Sequence, residues 1–82
     1  MVSGLVQGVF FRDSTRREAT SRGLAGSARN LPDGRVEVIL EGSADEVAAV
    51  LEWLHQGPRD ARVETVEVVD ETAEGLRGFS LG

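Results

Sequence analysis

Residues 2–12 read VSGLVQGVFFR, and the fold of the whole chain turns on this stretch. Val2, Leu5 and Val6 make an apolar, strand-like entry into Gln7-Gly8. Val9, Phe10 and Phe11 follow, and then a single cation, Arg12, where a helix begins. A glycine turn between a strand and a helix aims successive backbone N–H groups at one spot. Such a nest binds anions, and the positive end of the helix dipole adds to it. Arg12 contributes a full charge and a planar fork of donors suited to phosphate or carboxylate. Strand, glycine turn and helix is also a very common local unit, and by itself it implies no ligand. Arg12 sets this copy apart. A cation in the first helical turn sits at the unfavourable end of the macrodipole, at a cost of about 0.3–1 kcal/mol. Either Asp13 or a bound anion would remove that cost.

Working outward, Asp13 to Arg22 is polar and rich in helix formers, with Gly23 as a stop. Its buried stripe is Phe11, Thr15 and Ala19, at i, i+4 and i+8. Leu24 to Asn30 reads as a strand of small residues. Leu31-Pro32-Asp33-Gly34 is a turn by composition. Arg35 to Glu41 alternates, with Val36, Val38 and Leu40 on one face and Glu37, Ile39 and Glu41 on the other. The two runs form a hairpin. Ser43 and Glu46 make a capping box for a second helix, whose apolar stripe is Val47, Val50, Leu51 and Leu54. Gly57-Pro58 ends it. Val63 to Val69 is a β-branched strand in which Glu64 and Glu67 keep one face wet. Val63 and Val66 are out of phase, which assigns Val63 to the incoming loop. Asp70 to Gly78 reads as an acidic loop, and Phe79 and Leu81 as a short last strand.

The order is β-α-β-β-α-β plus that strand. It predicts an α+β, ferredoxin-like split βαβ sandwich, an antiparallel sheet with two helices on one face. Many unrelated activities use this plan, so it does not set the function.

Composition bounds the rest. The 82 residues suffice for one domain over 1–82, without linker or repeat. At 40% hydrophobic residues the chain reads as globular rather than disordered. The absence of cysteine excludes disulfides and thiol chemistry and suits a reducing cytoplasm. No apolar run reaches the length of a membrane span, and no stretch reads as a leader. A net charge of −5 argues against nucleic-acid or anionic-membrane partners.

VSGLVQGVFFR resembles the first signature of the acylphosphatases, small enzymes that hydrolyse carboxyl-phosphate anhydrides. Gly26-Ser27-Ala28-Arg29-Asn30, Gly34, Val36 and Gly42 resemble the second signature in type and spacing. The likeness covers nearly the whole chain, including Leu51-Glu52-Trp53-Leu54. It implies a sheet with the first strand central. It also implies that Arg12 binds the phosphate, that Asn30 orients the attacking water, and that the backbone amides of Gln7, Gly8, Val9, Phe10 and Phe11, running on to Arg12, cradle the phosphoryl oxygens. The implied substrate is a small acyl phosphate and the product inorganic phosphate, with no cofactor or metal and with the enzyme a monomer. The chain departs from the pattern at Ser27, where the family usually has an aromatic; burial of that site would make the loss about 1–3 kcal/mol. It also starts few residues before the first motif, which implies a short central strand or further residues upstream.

Hydrolysis of an acyl phosphate expels a carboxylate, already stable as an anion, so no general acid is required. What remains is positioning and charge stabilisation. An amide cradle, one arginine and one asparagine provide that without a Ser-His-Asp set. His55 reads as a surface residue near a helix C-terminus rather than a base, and Trp53 as packing rather than a stacking platform. Glu37, Glu41, Glu64 and Glu67 read as a solvated sheet face rather than metal ligands. Gly4 to Gly8 lacks the Gly-Lys-Ser/Thr of a nucleotide phosphate loop. The competing reading is a catalytically inactive phosphate-binding or interaction module on the same plan, which Ser27 and the short first strand favour. A third is an acylphosphatase-like domain of a larger carbamoyl-transfer protein.

Overall fold

A computed structural model of the chain describes residues 1–8, 10–69 and 74–82. The elements are β1 (Val2–Leu5), α1 (Phe11–Ser21), β2 (Ala25–Asn30), β3 (Val36–Glu41), α2 (Ala44–Gln56), β4 (Arg62–Val66) and β5 (Phe79–Leu81). They form one five-stranded sheet in the order β4-β1-β3-β2-β5. This is the expected split βαβ plan with β1 internal. The pairs β1–β4, β1–β3 and β2–β3 are antiparallel, as expected. The last strand departs from an all-antiparallel sheet: β5 joins parallel to β2, with Gly26 opposite Phe79 and Ala28 opposite Leu81. The chain reaches β2's free edge after β4 has ended on the far side of the sheet, and it runs there in β2's direction.

Both helices bury their stripes in one core with Val2, Val6 and Val36 of the first and third strands' region. From α1 come Phe11, Thr15 and Ala19, all at most 1% exposed. The Thr15 hydroxyl is satisfied inside the helix by the Phe11 carbonyl at 2.8 Å, so its burial leaves no unmet donor. From α2 come Val50 and Leu54, flanked by the partly buried Val47 and Leu51. The helices meet where the Phe11 and Trp53 rings lie tilted, 6.1 Å apart. Gly57, at φ 69°, closes α2 by donating to the Trp53 carbonyl at 2.8 Å. A side chain there would meet Phe11 at 2.9 Å, so glycine serves both the turn and the packing. Trp53 is thus part of the packing, and His55 is exposed in α2's last turn, as the sequence implied.

Three boundaries move. Helix α1 begins at Phe11, one position before the expected Arg12, and ends at Ser21 rather than Arg22. Strand β4 ends at Val66 rather than Val69, although Glu67 still exchanges backbone hydrogen bonds with Met1, at 2.9 and 3.0 Å. Val63 belongs to β4 rather than to the loop. The register passes from Ser3 opposite Thr65 to Gly4 opposite Val63, so Glu64 is an inserted bulge residue. The bulge resets the alternation, and both Val63 and Val66 pack on the core. The expected acidic loop over 70–78 lies partly outside the described residues. Its later part, Glu74, Gly75 and Leu76, donates three backbone N–H groups to the Glu41 carboxylate at 3.0–3.2 Å.

Candidate active site

The end of β1, the start of α1 and the end of β2 converge on a cleft of about 380 Å³. Val6 and Phe11, each 1% exposed, lie deep in it. Gly8, Arg12 and Asn30 line it, and Phe10, Asp13 and Leu81 complete it. The structure therefore brings Arg12 and Asn30 to one cleft, together with Gly8, Phe10 and Phe11 of the expected cradle. Val9, also assigned to the cradle, lies outside the described residues.

The local backbone explains this convergence. Gly8 holds φ 76° and Phe10 holds φ 58°, ψ 26°. A left-handed glycine is free of steric cost, whereas a left-handed phenylalanine costs roughly 1–2 kcal/mol. Phe10 is the N-cap of α1, and no side chain caps the helix. The Ser14 N–H donates to the Phe10 carbonyl at 2.9 Å and closes the first turn. The N–H groups of Phe11, Arg12 and Asp13 precede it and have no partner within the helix. In contrast, α2 is capped by Ser43, whose hydroxyl accepts from the Glu46 N–H at 3.3 Å. Of the two helix starts, the uncapped one opens at the cleft.

Arg12 carries the charge there. Asp13 does not neutralise it: the Asp13 carboxylate is taken by Arg16 at 2.5 Å and Arg17 at 3.0 Å. Among the described residues no Asp or Glu side chain pairs with Arg12; its Nη1 donates to a main-chain oxygen of Gly82, the last residue of the sequence. Asn30 ends β2, opposite Val36, with its side chain exposed. The neighbouring Arg29 is held away by Glu37 at 2.8 Å.

Gln7 takes a second part that its place in the glycine turn concealed. Its Nε2 donates to the carbonyls of Leu31 at 2.8 Å and Arg35 at 3.0 Å. The β2–β3 turn that follows Asn30 is thereby tied to the turn that precedes α1. Such a link joins segments far apart in the chain, so no local pattern signals it. Ser27 also reads differently in place. Its neighbours Gly26 and Ala28 face the core side, while Ser27 is half-buried on the other face, opposite Ile39. The missing aromatic is a loss of cover on the outer face rather than of core.

A larger groove of about 700 Å³ lies between α2 and the sheet, with Val38, Val47 and Leu51 in its wall. Its side-chain charges are Glu37, Glu41, Glu67 and Glu74, which repel an anion. The smaller cleft is the one suited to a phosphoryl group.

Comparison with known proteins agrees with this geometry. The family model described as acylphosphatase matches residues 1–81. An acylphosphatase of Rubrobacter xylanophilus is 58% identical, over 98% of this chain and 74% of its own length. The crystal structure of acylphosphatase from Bacillus subtilis superposes with a TM-score of 0.94 at 36% identity, covering 99% of this chain and 91% of that one. T. kodakarensis HypF contains a like region: TM-score 0.87, 32% identity, 99% of this chain but 11% of that one. The chain belongs to the acylphosphatase family, hydrolases that act on the carboxyl-phosphate bond of acyl phosphates.

Proposed function

We propose that this acylphosphatase holds the phosphoryl group with Arg12 and the backbone N–H groups from Gln7 to Arg12, and that Asn30 orients the attacking water. The single observation that carries this reading is the uncapped start of α1, which opens on the same cleft as Arg12 and Asn30. Uncapped N–H groups and a cation that pairs with no Asp or Glu side chain among the described residues suit an anion.

The reaction follows from what these groups do. The water oxygen attacks phosphorus, and the bond between phosphorus and the acyl oxygen breaks with its electron pair leaving on the carboxylate. The water's proton is lost late, to a phosphoryl oxygen, so no side-chain base is required. The amides and the Arg12 fork balance charge on the phosphoryl oxygens as it spreads over them, and donors fixed to the backbone spare part of the reorganisation that water would require. Asn30 adds the geometry of attack, worth several powers of ten when a reactant is held in line.

The same reading makes the reaction independent of metal and takes residues 1–82 as one catalytic domain. It also takes the enzyme as a monomer. It takes the enzyme as cytoplasmic, with small-molecule substrates; no helix among the described residues is long and apolar enough to cross a membrane. The test is turnover of benzoyl phosphate with a chelator present. The protein retains its full rate and Arg12→Ala loses it; a wild-type rate no higher than that of Arg12→Ala contradicts the assignment.

A further inference from the structure

Glu41 ends β3 opposite Ala25, at the far end of the β2–β3 pair from Asn30, and it does not line the cleft. Its half-buried carboxylate pairs with no arginine among the described residues. Instead it accepts three successive backbone N–H groups: Glu74 at 3.1 Å and Gly75 at 3.0 Å on Oε1, and Leu76 at 3.2 Å on Oε2. Gly75 holds φ 75°, a conformation that lets neighbouring N–H groups converge on one anion. Bonds to an ionised acceptor are stronger than neutral ones, so this is a firm anchor for the backbone. The chain passes from the anchor into β5. The Gly26 N–H donates to the Gly78 carbonyl at 2.9 Å, Phe79 to Leu81 pair with Gly26 to Ala28, and the Gly82 N–H donates to the Ala28 carbonyl at 3.0 Å. Gly82 then accepts from Arg12 Nη1. A continuous run thus joins Glu41 to the cation in the cleft. Its middle, β5, is an edge strand of 3 residues, and an end segment this short frays unless it is tied down. Glu41 holds its entrance, and its exit holds Arg12.

We propose that Glu41 is a positioning residue for Arg12: by anchoring the backbone at 74–76 it keeps β5 in register on β2, and β5 keeps the guanidinium in the cleft. The inference rests on the assignment of the phosphoryl group to Arg12 and the amide cradle. A long side chain held at one nitrogen before its ligand arrives surrenders less freedom on binding. The other donors of the fork remain for the phosphoryl oxygens. Release of β5 therefore weakens the grip on phosphate, although no group that touches phosphate has changed.

The experiment measures the inhibition constant of inorganic phosphate, with benzoyl phosphate as substrate, in Glu41→Leu, Glu41→Gln and Ser80→Pro. An inhibition constant does not depend on the fraction of protein that is folded, so a variant that is only less stable loses rate and keeps it. Glu41→Leu removes both acceptor oxygens and weakens phosphate inhibition roughly 3- to 10-fold, the size of a coupling through one bonded network. Glu41→Gln keeps one oxygen and weakens it less. The Ser80 N–H lies on the same strand edge as that of Gly82, so proline there loosens β5 by a second route. Ser80→Pro weakens inhibition to a like extent, and adding Glu41→Leu to it weakens inhibition no further. A constant within twofold of wild type in Glu41→Leu overturns the proposal. So does a full additional loss in the double variant, which would mean that Glu41 does not act through β5. Arg12→Ala is the control for the underlying reading. If it keeps phosphate inhibition, the phosphoryl assignment falls, and the role of Glu41 with it. If it loses inhibition while Glu41→Leu keeps the wild-type value, the role of Glu41 falls alone.

Discussion

Gln7 reaches across the sheet end to Leu31: its Nε2 donates to the Leu31 carbonyl at 2.8 Å, and the same nitrogen donates to Arg35 at 3.0 Å. These bonds tie the chain that leads from β1 into α1, where the cradle is proposed, to the turn that follows Asn30. The two halves of the proposed site come from separate parts of the chain, and this side chain links them.

Replacing Gln7 by leucine keeps the backbone N–H and removes the tie. The Leu31 carbonyl keeps the Gly34 N–H at 3.1 Å and the Arg35 carbonyl keeps the Leu31 N–H at 2.8 Å, so neither is left unmet. The cost is that of the lost bonds alone, about 0.5–1.5 kcal/mol each. Stability measured by urea unfolding falls by that amount, and kcat falls more than inhibition by inorganic phosphate weakens, because Asn30 loses its register. A variant with lower stability and an unaltered kcat would show that the tie is structural only.

Ser27 lies on the outer face opposite Ile39, which is 39% exposed. An aromatic at this position covers a β-branched neighbour across the strand, a pairing worth roughly 0.2–1 kcal/mol. Ser27→Tyr therefore raises the unfolding midpoint and leaves kcat/KM as it is, since Ser27 does not line the cleft. A midpoint below wild type contradicts this placement of the outer face.

Asp33 supplies the pH dependence of the turn after Asn30. Its carboxylate accepts from the Arg35 backbone N–H at 3.1 Å and from the Arg35 guanidinium at 2.7 Å. The backbone bond first, and then the guanidinium, hold its pKa below the ordinary 3.8. A lowered folded pKa means that stabilisation is complete above the unfolded value and is lost as the pH falls through the folded one. The Asp33 carboxyl carbon, followed by NMR, titrates below 3.8 in the folded protein, and Arg35→Ala moves it upward. Titration at or above the ordinary value would rule out this turn.

Much of this was readable from residue spacing. Phe11, Thr15 and Ala19 lie on one helical stripe, and all three are buried. The capping box at Ser43 and the alternation of Val36, Val38 and Leu40 need only local rules, and local rules held. The misreadings have long-range causes. Val63 looked out of phase because the Glu64 bulge is made by pairing with β1, which no local pattern displays. The start of α1 falls one residue before the expected Arg12, because its N-cap is a left-handed phenylalanine, far from the usual capping residues. Phe10 and Phe11 are adjacent and chemically alike, yet one is 82% and the other 1% exposed. Only the turn geometry separates them. Likewise, Asp13 was a candidate partner for Arg12 until the helix placed Arg16 and Arg17 one turn away from it.

The central claim is a division of labour in the cleft: Arg12 with the amide cradle binds the phosphoryl group, and Asn30 directs the water. The most direct test measures kcat for benzoyl phosphate and the inhibition constant of inorganic phosphate in Arg12→Ala and Asn30→Ala, with chelator present. Loss of a positioned charge donor lowers turnover by on the order of 10²-fold or more. The account predicts that Arg12→Ala loses both turnover and phosphate inhibition, whereas Asn30→Ala loses turnover and is still inhibited by phosphate. Equal weakening of phosphate inhibition in the two variants would contradict it.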